Sequence, residues 1–220
     1  MKIPLSSRLL ACAEFVRYGD RIADIGCDHG YLTLYLLHNN IARSAIAADI
    51  NEMPLKSAQS NAEKYGYNDK ISFHLSNGAQ NIPTDFDVMI CAGMGADTII
   101  SILTDAPWLK SVKYRLILQC QSKTPLLRKY LSDNGWHIKE EHVLQDGRFL
   151  YTIMNIIFAP DKPRLSDSQC YITPALLYSN SEKVQEYCSW VIEGLKIQTK
   201  HRDDPKLQTI LNELTKENFA

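Results

Sequence analysis

Ala23-Asp24-Ile25-Gly26-Cys27-Asp28-His29-Gly30-Tyr31-Leu32 is the stretch whose reading decides the fold. It reads as the end of a buried strand (residues 21–25), a glycine turn and the start of a helix. A second apolar run, 44–48, ends at Asp49, 23 residues after Gly26. An acid near this position commonly holds the ribose hydroxyls of a bound nucleoside. The two strands together point to an αβα domain built around a nucleoside cofactor.

The spacing of the glycines bears on which nucleoside. A dinucleotide site needs Gly-x-Gly-x-x-Gly, so that backbone can approach a pyrophosphate at a helix N-terminus. Here the spacing is Gly26-x-x-x-Gly30, and Asp28 stands where the second glycine belongs. A carboxylate there repels a pyrophosphate and suits a cationic cofactor without phosphate. S-adenosylmethionine, with its sulfonium, ammonium and two ribose hydroxyls, fits that description better than NAD.

Outward from this core, strands and helices alternate. A helix over 5–17 carries Leu9, Leu10, Ala13 and Val16 on one face, with Ser6 or Ser7 as cap and Arg8 projecting near its start. Pro54 suits the first turn of a helix that stops at Gly66. Strands are expected at 71–75, 87–91 and 114–118. Helices follow around Ile99–Leu103 and Leu126–Leu131. A final hairpin, 136–144 and 149–158, turns near Asp146-Gly147. This order implies a mostly parallel seven-stranded sheet. After Pro160 the pattern changes. Helices at 181–200 and from Pro205 carry apolar stripes and read as a helical hairpin, either an α-cap on the sheet or an RNA-holding arm or dimer contact. The expected division is 1–160 and 161–220.

The 220 residues carry 45% hydrophobic and 22% charged residues and a formal net charge of −1, a globular profile that speaks neither for nor against nucleic acid. The apolar runs are too short to span a bilayer, so no membrane is expected. The six cysteines form no Cys-x-x-Cys pair and no zinc-ligand spacing, so no metal is expected. With nothing that reads as a secretory segment, they are expected as free thiols in the cytoplasm. Nothing in the pattern specifies an oligomer.

Two motifs carry a family resemblance. Leu5-Ser6-Ser7-Arg8-Leu9 followed by the glycine stretch, together with Ala92-Gly93-Met94-Gly95, resembles the bacterial tRNA adenine-N1 methyltransferases that modify adenosine 22. The likeness covers about residues 3–158. It implies a Rossmann-like class I methyltransferase fold, S-adenosylmethionine as cofactor, tRNA as substrate, attack by adenine N1 and a coiled-coil-like C-terminal hairpin. Three departures stand out. Ala96 replaces the last glycine of Ala-Gly-Met-Gly-Gly, Cys120-Gln121 replaces Pro-Asn after strand five, and Asn77-Gly78-Ala79 replaces a usual Gly-Leu.

The candidate residues follow. Gly26, Cys27 and Gly30 let backbone approach the methionine part of the cofactor. Asp49, with Ile50 beside it, takes the ribose. Asn77 and Gly78 lie near the adenine edge. Ala92, Gly93 and Met94 close the fourth strand, and their lack of an Asn/Asp-Pro-Pro-aromatic loop is compatible with ring-nitrogen chemistry. Asp24, an acid inside an apolar strand, either anchors the cofactor ammonium or pins the glycine loop. Asp28 and His29 are the catalytic-face pair: Asp28 stabilises charge on the methylated base or helps remove a proton, while His29 orients the base or bonds the loop. Lys110, Lys113, Arg115, Lys123, Arg128 and Lys129, extended by Arg8 and Arg148, form an expected phosphate footprint. A small-molecule methyltransferase and a non-catalytic RNA-binding protein are the competing readings.

Overall fold

A computed structural model describes residues 3–179 and 182–216. The expected start of a helix at Ser181 lies outside the described residues. Seven strands form one sheet: β1 (Asp20–Ile25), β2 (Ala42–Asp49), β3 (Ile71–Leu75), β4 (Val88–Met94), β5 (Arg115–Cys120), β6 (Trp136–Asp146) and β7 (Phe149–Phe158). Their spatial order is β3-β2-β1-β4-β5-β7-β6. The first five pair in parallel, and β7 enters antiparallel between β5 and β6. The α/β fold expected from the sequence is the one observed.

Strand parity builds the core. Ala23, Ile25, Ile46, Ala48, Met89, Cys91, Leu116 and Leu118 point to one face, under α4 (Ala96–Asp105) and α5 (Thr124–Asp133). Ile22, Ala45, Ala47, Val88, Ile90 and Ile117 point to the other, under α1 (Ser7–Glu14), α2 (Tyr31–His38) and α3 (Glu52–Tyr65). Two covered faces explain why these strands read as unbroken apolar runs. The first helix is shorter than the 5–17 expected. Ser6 caps it by accepting from the Leu9 N–H, and Phe15 ends it.

The segment after Pro160 is a packed element and not a free linker. Cys170, Ile172 and Leu176 are buried, the last in a one-turn helix, α6 (Pro174–Leu177), that the sequence reading did not contain. Then α7 (Glu182–His201) and α8 (Pro205–Lys216) form the expected hairpin. Its apolar stripe (Val184, Tyr187, Cys188, Ile192, Leu195, Ile210, Leu211, Leu214) shares a third core with Val143 of β6. The hairpin therefore packs against the outer strand of the sheet.

Two arginines expected on the phosphate footprint are struts inside the fold. Arg128 is fully buried. It donates to Glu141 Oε1 at 2.5 Å and to the carbonyls of Cys170 and Tyr171 at 3.1 and 2.7 Å. It ties α5 to β6 and to the C-terminal segment. Burial alone would lower its pKa, but the adjoining Glu141 carboxylate outweighs that and raises it. Arg115 is also buried, donating to Asp20 and to the Phe15 carbonyl. A buried charge must be paired, and these two are. Neither is available to a phosphate.

Candidate active site

Topology brings the candidate residues together. The strand order reverses between β1 and β4, and ligands in open parallel sheets bind outside the carboxyl ends of strands at such a crossover. Register sets the depth: Ile25 pairs with Ala48 on one side and Cys91 on the other. The three strands therefore end level, and Gly26, Asp49 and Ala92 emerge side by side. They line a cleft of about 440 Å³ with Arg8, Asp24, Cys27, Asp28, His29, Ile50, Gly93 and Met94. That volume lies within the range of small-molecule sites.

The glycine turn is shaped by positive φ. Gly26 has φ 72°, Asp28 φ 50° and Gly30 φ 72°. The Gly26 and Cys27 N–H groups both donate to the Ala48 carbonyl, at 2.8 and 3.0 Å, pinning the turn to β2. A Cβ on Gly26 would overlap the terminal methyl of the flexible Met94 side chain, which would have to swing aside, and the positive φ is the stronger demand for glycine. Gly30 has a different task. Its missing Cβ lets α2 approach Ala58 of α3.

Asp49 is buried and held from both sides. Its Oδ2 accepts the Asp28 N–H at 3.2 Å, and its Oδ1 accepts the Asn51 N–H at 2.9 Å. The carboxylate is thus oriented before any ligand arrives, with lone pairs left for a vicinal diol. Asp24 is also buried, and Thr33 donates to it at 2.8 Å. Burial, assisted by the nearby Asp49 charge, pushes its pKa up to about 6, against the lowering effect of the Thr33 bond. Burial likewise pushes the Cys27 thiol up, so it lines the cleft as a neutral group. Asp28 and His29 are exposed at the mouth, with His29 Nε2 3.7 Å from Asp28 Oδ1.

The charge balance of the cleft is distinctive. Three carboxylates face one guanidinium, and that guanidinium, Arg8, is engaged with Asp146 at 2.7 Å and lies over the Tyr151 ring. Such a mouth favours a cation and disfavours a pyrophosphate. Exposed Ile50 offers an apolar wall for a flat ring. These features fit S-adenosylmethionine: Asp49 for the ribose, Asp24 for the ammonium, and the Gly26 turn for close backbone approach.

Several expected residues lie elsewhere. Asn77 is exposed and Gly78 is turned toward α4, where an added Cβ would press on Ile102. Neither lines the cleft. Lys110 donates to Asn134 and Lys113 to the Thr84 carbonyl, both near the amino end of β5, away from the cleft. Lys129 pairs with Asp133 and Asp167. Only Lys123, paired with Asp97, follows the carboxyl end of β5. The basic run is therefore split by the length of a strand. Arg148, over Phe149, stands at the tip of the β6–β7 hairpin beside Asp146.

Gln119, Gln121, Asn51 and Tyr31 also line the cleft. Gln119 is fully buried, and its Oε1 accepts the Gly93 N–H at 2.9 Å, fixing the bulged end of β4. A polar residue closing an apolar strand was a legible signal, the same one that marks Asp24.

A methyltransferase-domain family model matches residues 5–154. Among curated relatives, the Bacillus subtilis tRNA (adenine(22)-N(1))-methyltransferase is 34% identical over 154 residues, covering 70% of this chain and 65% of its own length. The chain thus spans just under two thirds of that relative. Solved structures align over nearly the whole length. A candidate tRNA (m1A22) methyltransferase of Streptococcus pneumoniae, in complex with S-adenosyl-L-methionine, is 31% identical with TM-score 0.85, covering 97% of this chain and 99% of that one. TrmK of M. capricolum, in complex with S-adenosyl-homocysteine, is 27% identical with TM-score 0.81, covering 97% of both.

Proposed function

This chain belongs to the methyltransferase-domain family, among its tRNA (adenine(22)-N1)-methyltransferases, and on that premise we propose that it transfers a methyl group from S-adenosylmethionine to N1 of adenine 22 in the D-arm region of tRNA. The observation that carries this reading is the convergence of Asp24, Asp28 and Asp49 on one cleft at the β1–β4 crossover. When bound, S-adenosylmethionine supplies a methyl on a sulfonium that passes to the adenine N1 lone pair, leaving a neutral thioether and a cationic base.

The residues of the chain then divide the work. Asp49 accepts the ribose hydroxyls, and Asp24 faces the ammonium. Asp28 stabilises the positive charge that develops on the base and receives the N6 proton. His29 orients the base from the rim. Gln119, through Gly93, holds the end of β4 against which the base packs. No protein nucleophile is needed, because the methyl group arrives activated and alignment is the main demand. Arg8, lining the cleft, and Arg148, at the tip of the β6–β7 hairpin, are the cations that meet phosphates. Residues 1–160 form the transfer unit and 161–220 its helical buttress. Among the described residues no helix is long and apolar enough to cross a membrane, and a tRNA substrate implies work in the cytoplasm.

The test is incubation with unmodified tRNA transcript and S-adenosylmethionine, followed by nucleoside mass spectrometry and mapping of the modified position. 1-Methyladenosine at position 22 is expected. Methyl transfer only to N6, to a ribose or to a small metabolite would overturn the proposal.

A further inference from the structure

A second groove of about 360 Å³ opens beside the cleft, between α7 and the turn that follows β5. Gln121 lines both, so the two are neighbours that share a wall. Across their shared wall, Tyr151 of the groove carries the Arg8 guanidinium of the cleft over its ring. Its far wall is one face of α7: Trp190, Gly194 and Ile197, spaced four and three residues apart and so stacked along the helix.

Three features of that face are unexplained by folding. Trp190 is 60% exposed, yet its ring is steadied from behind by buried Tyr187, with ring centroids 5.8 Å apart. Ile197 is 51% exposed. Between them Gly194 sits inside a continuous 20-residue helix, where glycine is costly. A Cβ on Gly194 would meet nothing within 4 Å. The glycine is therefore not there for packing within the chain. It leaves a slot flanked by an anchored indole and an aliphatic side chain.

We propose that this slot receives an unpaired nucleobase of the tRNA adjacent to the target adenine, stacked on Trp190. The inference rests on the proposed function above and names how its substrate is gripped. A target adenine entering the cleft must be splayed from its neighbours, and the chain leading to it then passes Gln121 into the groove. Single-stranded bases are held by stacking on aromatic rings and by amide contacts to their edges. The groove offers Trp190 for the first and Gln121 for the second. Its charges are spent locally, Lys123 on Asp97 and Glu193 on Lys196, so the slot suits a neutral heterocycle and not a phosphate.

The experiment uses the full chain, tRNA transcript and tryptophan fluorescence. Trp136 is buried and Trp108 is packed against Phe86 and Tyr114, so quenching on tRNA addition reports Trp190. Quenching is expected in the wild type and lost in Trp190→Phe, which keeps a stacking ring and a KM for tRNA within about threefold. Trp190→Ala is expected to raise that KM about tenfold with kcat at saturating tRNA and cofactor affinity unchanged. Gly194→Leu is expected to melt no lower than wild type while raising the tRNA KM, because it fills the slot and improves the helix. The proposal is overturned if tRNA leaves the fluorescence unchanged, or if Trp190→Ala and Gly194→Leu both keep the wild-type KM. Quenching that follows protein concentration instead of tRNA would assign the groove to a second copy of the chain and overturn it equally. Failure of the proposed function would look different: no methyl transfer by the wild type, whatever the fluorescence does.

Discussion

Replacing Asp49 by alanine removes the buried carboxylate proposed to hold the cofactor ribose. Its two oxygens are fixed by the Asp28 and Asn51 amides, so their remaining lone pairs are pre-oriented. A hydrogen bond to a charged group is worth about 1.5–3 kcal/mol. Losing one to two of them costs cofactor binding about 2–4 kcal/mol, a roughly 30- to 1,000-fold rise in Kd at 1.4 kcal/mol per tenfold. Asp49→Asn removes the charge but keeps one carbonyl acceptor, and should fall between alanine and wild type. Isothermal titration with S-adenosylmethionine and with S-adenosylhomocysteine gives the readout. Both share the ribose, so both should weaken by the same factor, while tRNA binding without cofactor is unchanged. An Asp49→Ala protein that keeps cofactor affinity within twofold of wild type would refute the assignment.

Gly26→Ala should lower Tm by roughly 2–8 °C and weaken cofactor binding, because φ 72° costs an L-residue about 1–2 kcal/mol and the new Cβ must displace Met94; an unchanged melt and titration would remove the close-approach argument. Asp24 gives a pH signature. Its folded pKa, about 6, lies above its ordinary value, so the ionised form is disfavoured in the empty fold, and stability from this group falls as pH rises from about 4 to 6. An ammonium partner needs the ionised form, so affinity for S-adenosylmethionine should fall as pH drops below 6, approaching tenfold per unit, and Asp24→Asn should flatten the profile; a flat wild-type profile would assign Asp24 to pinning the loop. Arg128→Met should destabilise the fold by about 3–5 kcal/mol in chemical denaturation by leaving Glu141 buried and unpaired. An unchanged denaturation midpoint with weaker tRNA binding would return Arg128 to the RNA surface.

The parallel sheet was legible because strands buried on both faces leave unbroken apolar runs, and the turn after β1 was legible because glycine and an acid stand where backbone conformation and ligand charge demand them. The position of Asp49 at the end of β2, beside that turn, was legible from its distance along the chain. Arg115 and Arg128 were not, because a charge reads the same in sequence whether it meets water or a partner. Asp20 lies 95 residues from Arg115, and the Tyr171 carbonyl 43 from Arg128. The run from Lys110 to Lys129 is divided for a geometric reason: β5 carries the chain to the carboxyl end of the sheet and α5 brings it back, so Lys123 stands apart from Lys110 and Lys129, which meet Asn134 and Asp133 at the other end. Gln119 carried a readable signal, but its partner, the Gly93 amide, comes from a neighbouring strand. The packed segment before α7 was hidden because Cys170, Ile172 and Leu176 show no period of either regular structure.

The most direct test is a pair of titrations into the same protein, one with S-adenosylmethionine and one with NAD. A mouth lined by Asp24, Asp28 and Asp49 should bind the sulfonium nucleoside in the micromolar range and give no measurable heat with the pyrophosphate compound. Comparable or tighter binding of NAD would contradict the reading of this cleft on which the rest depends.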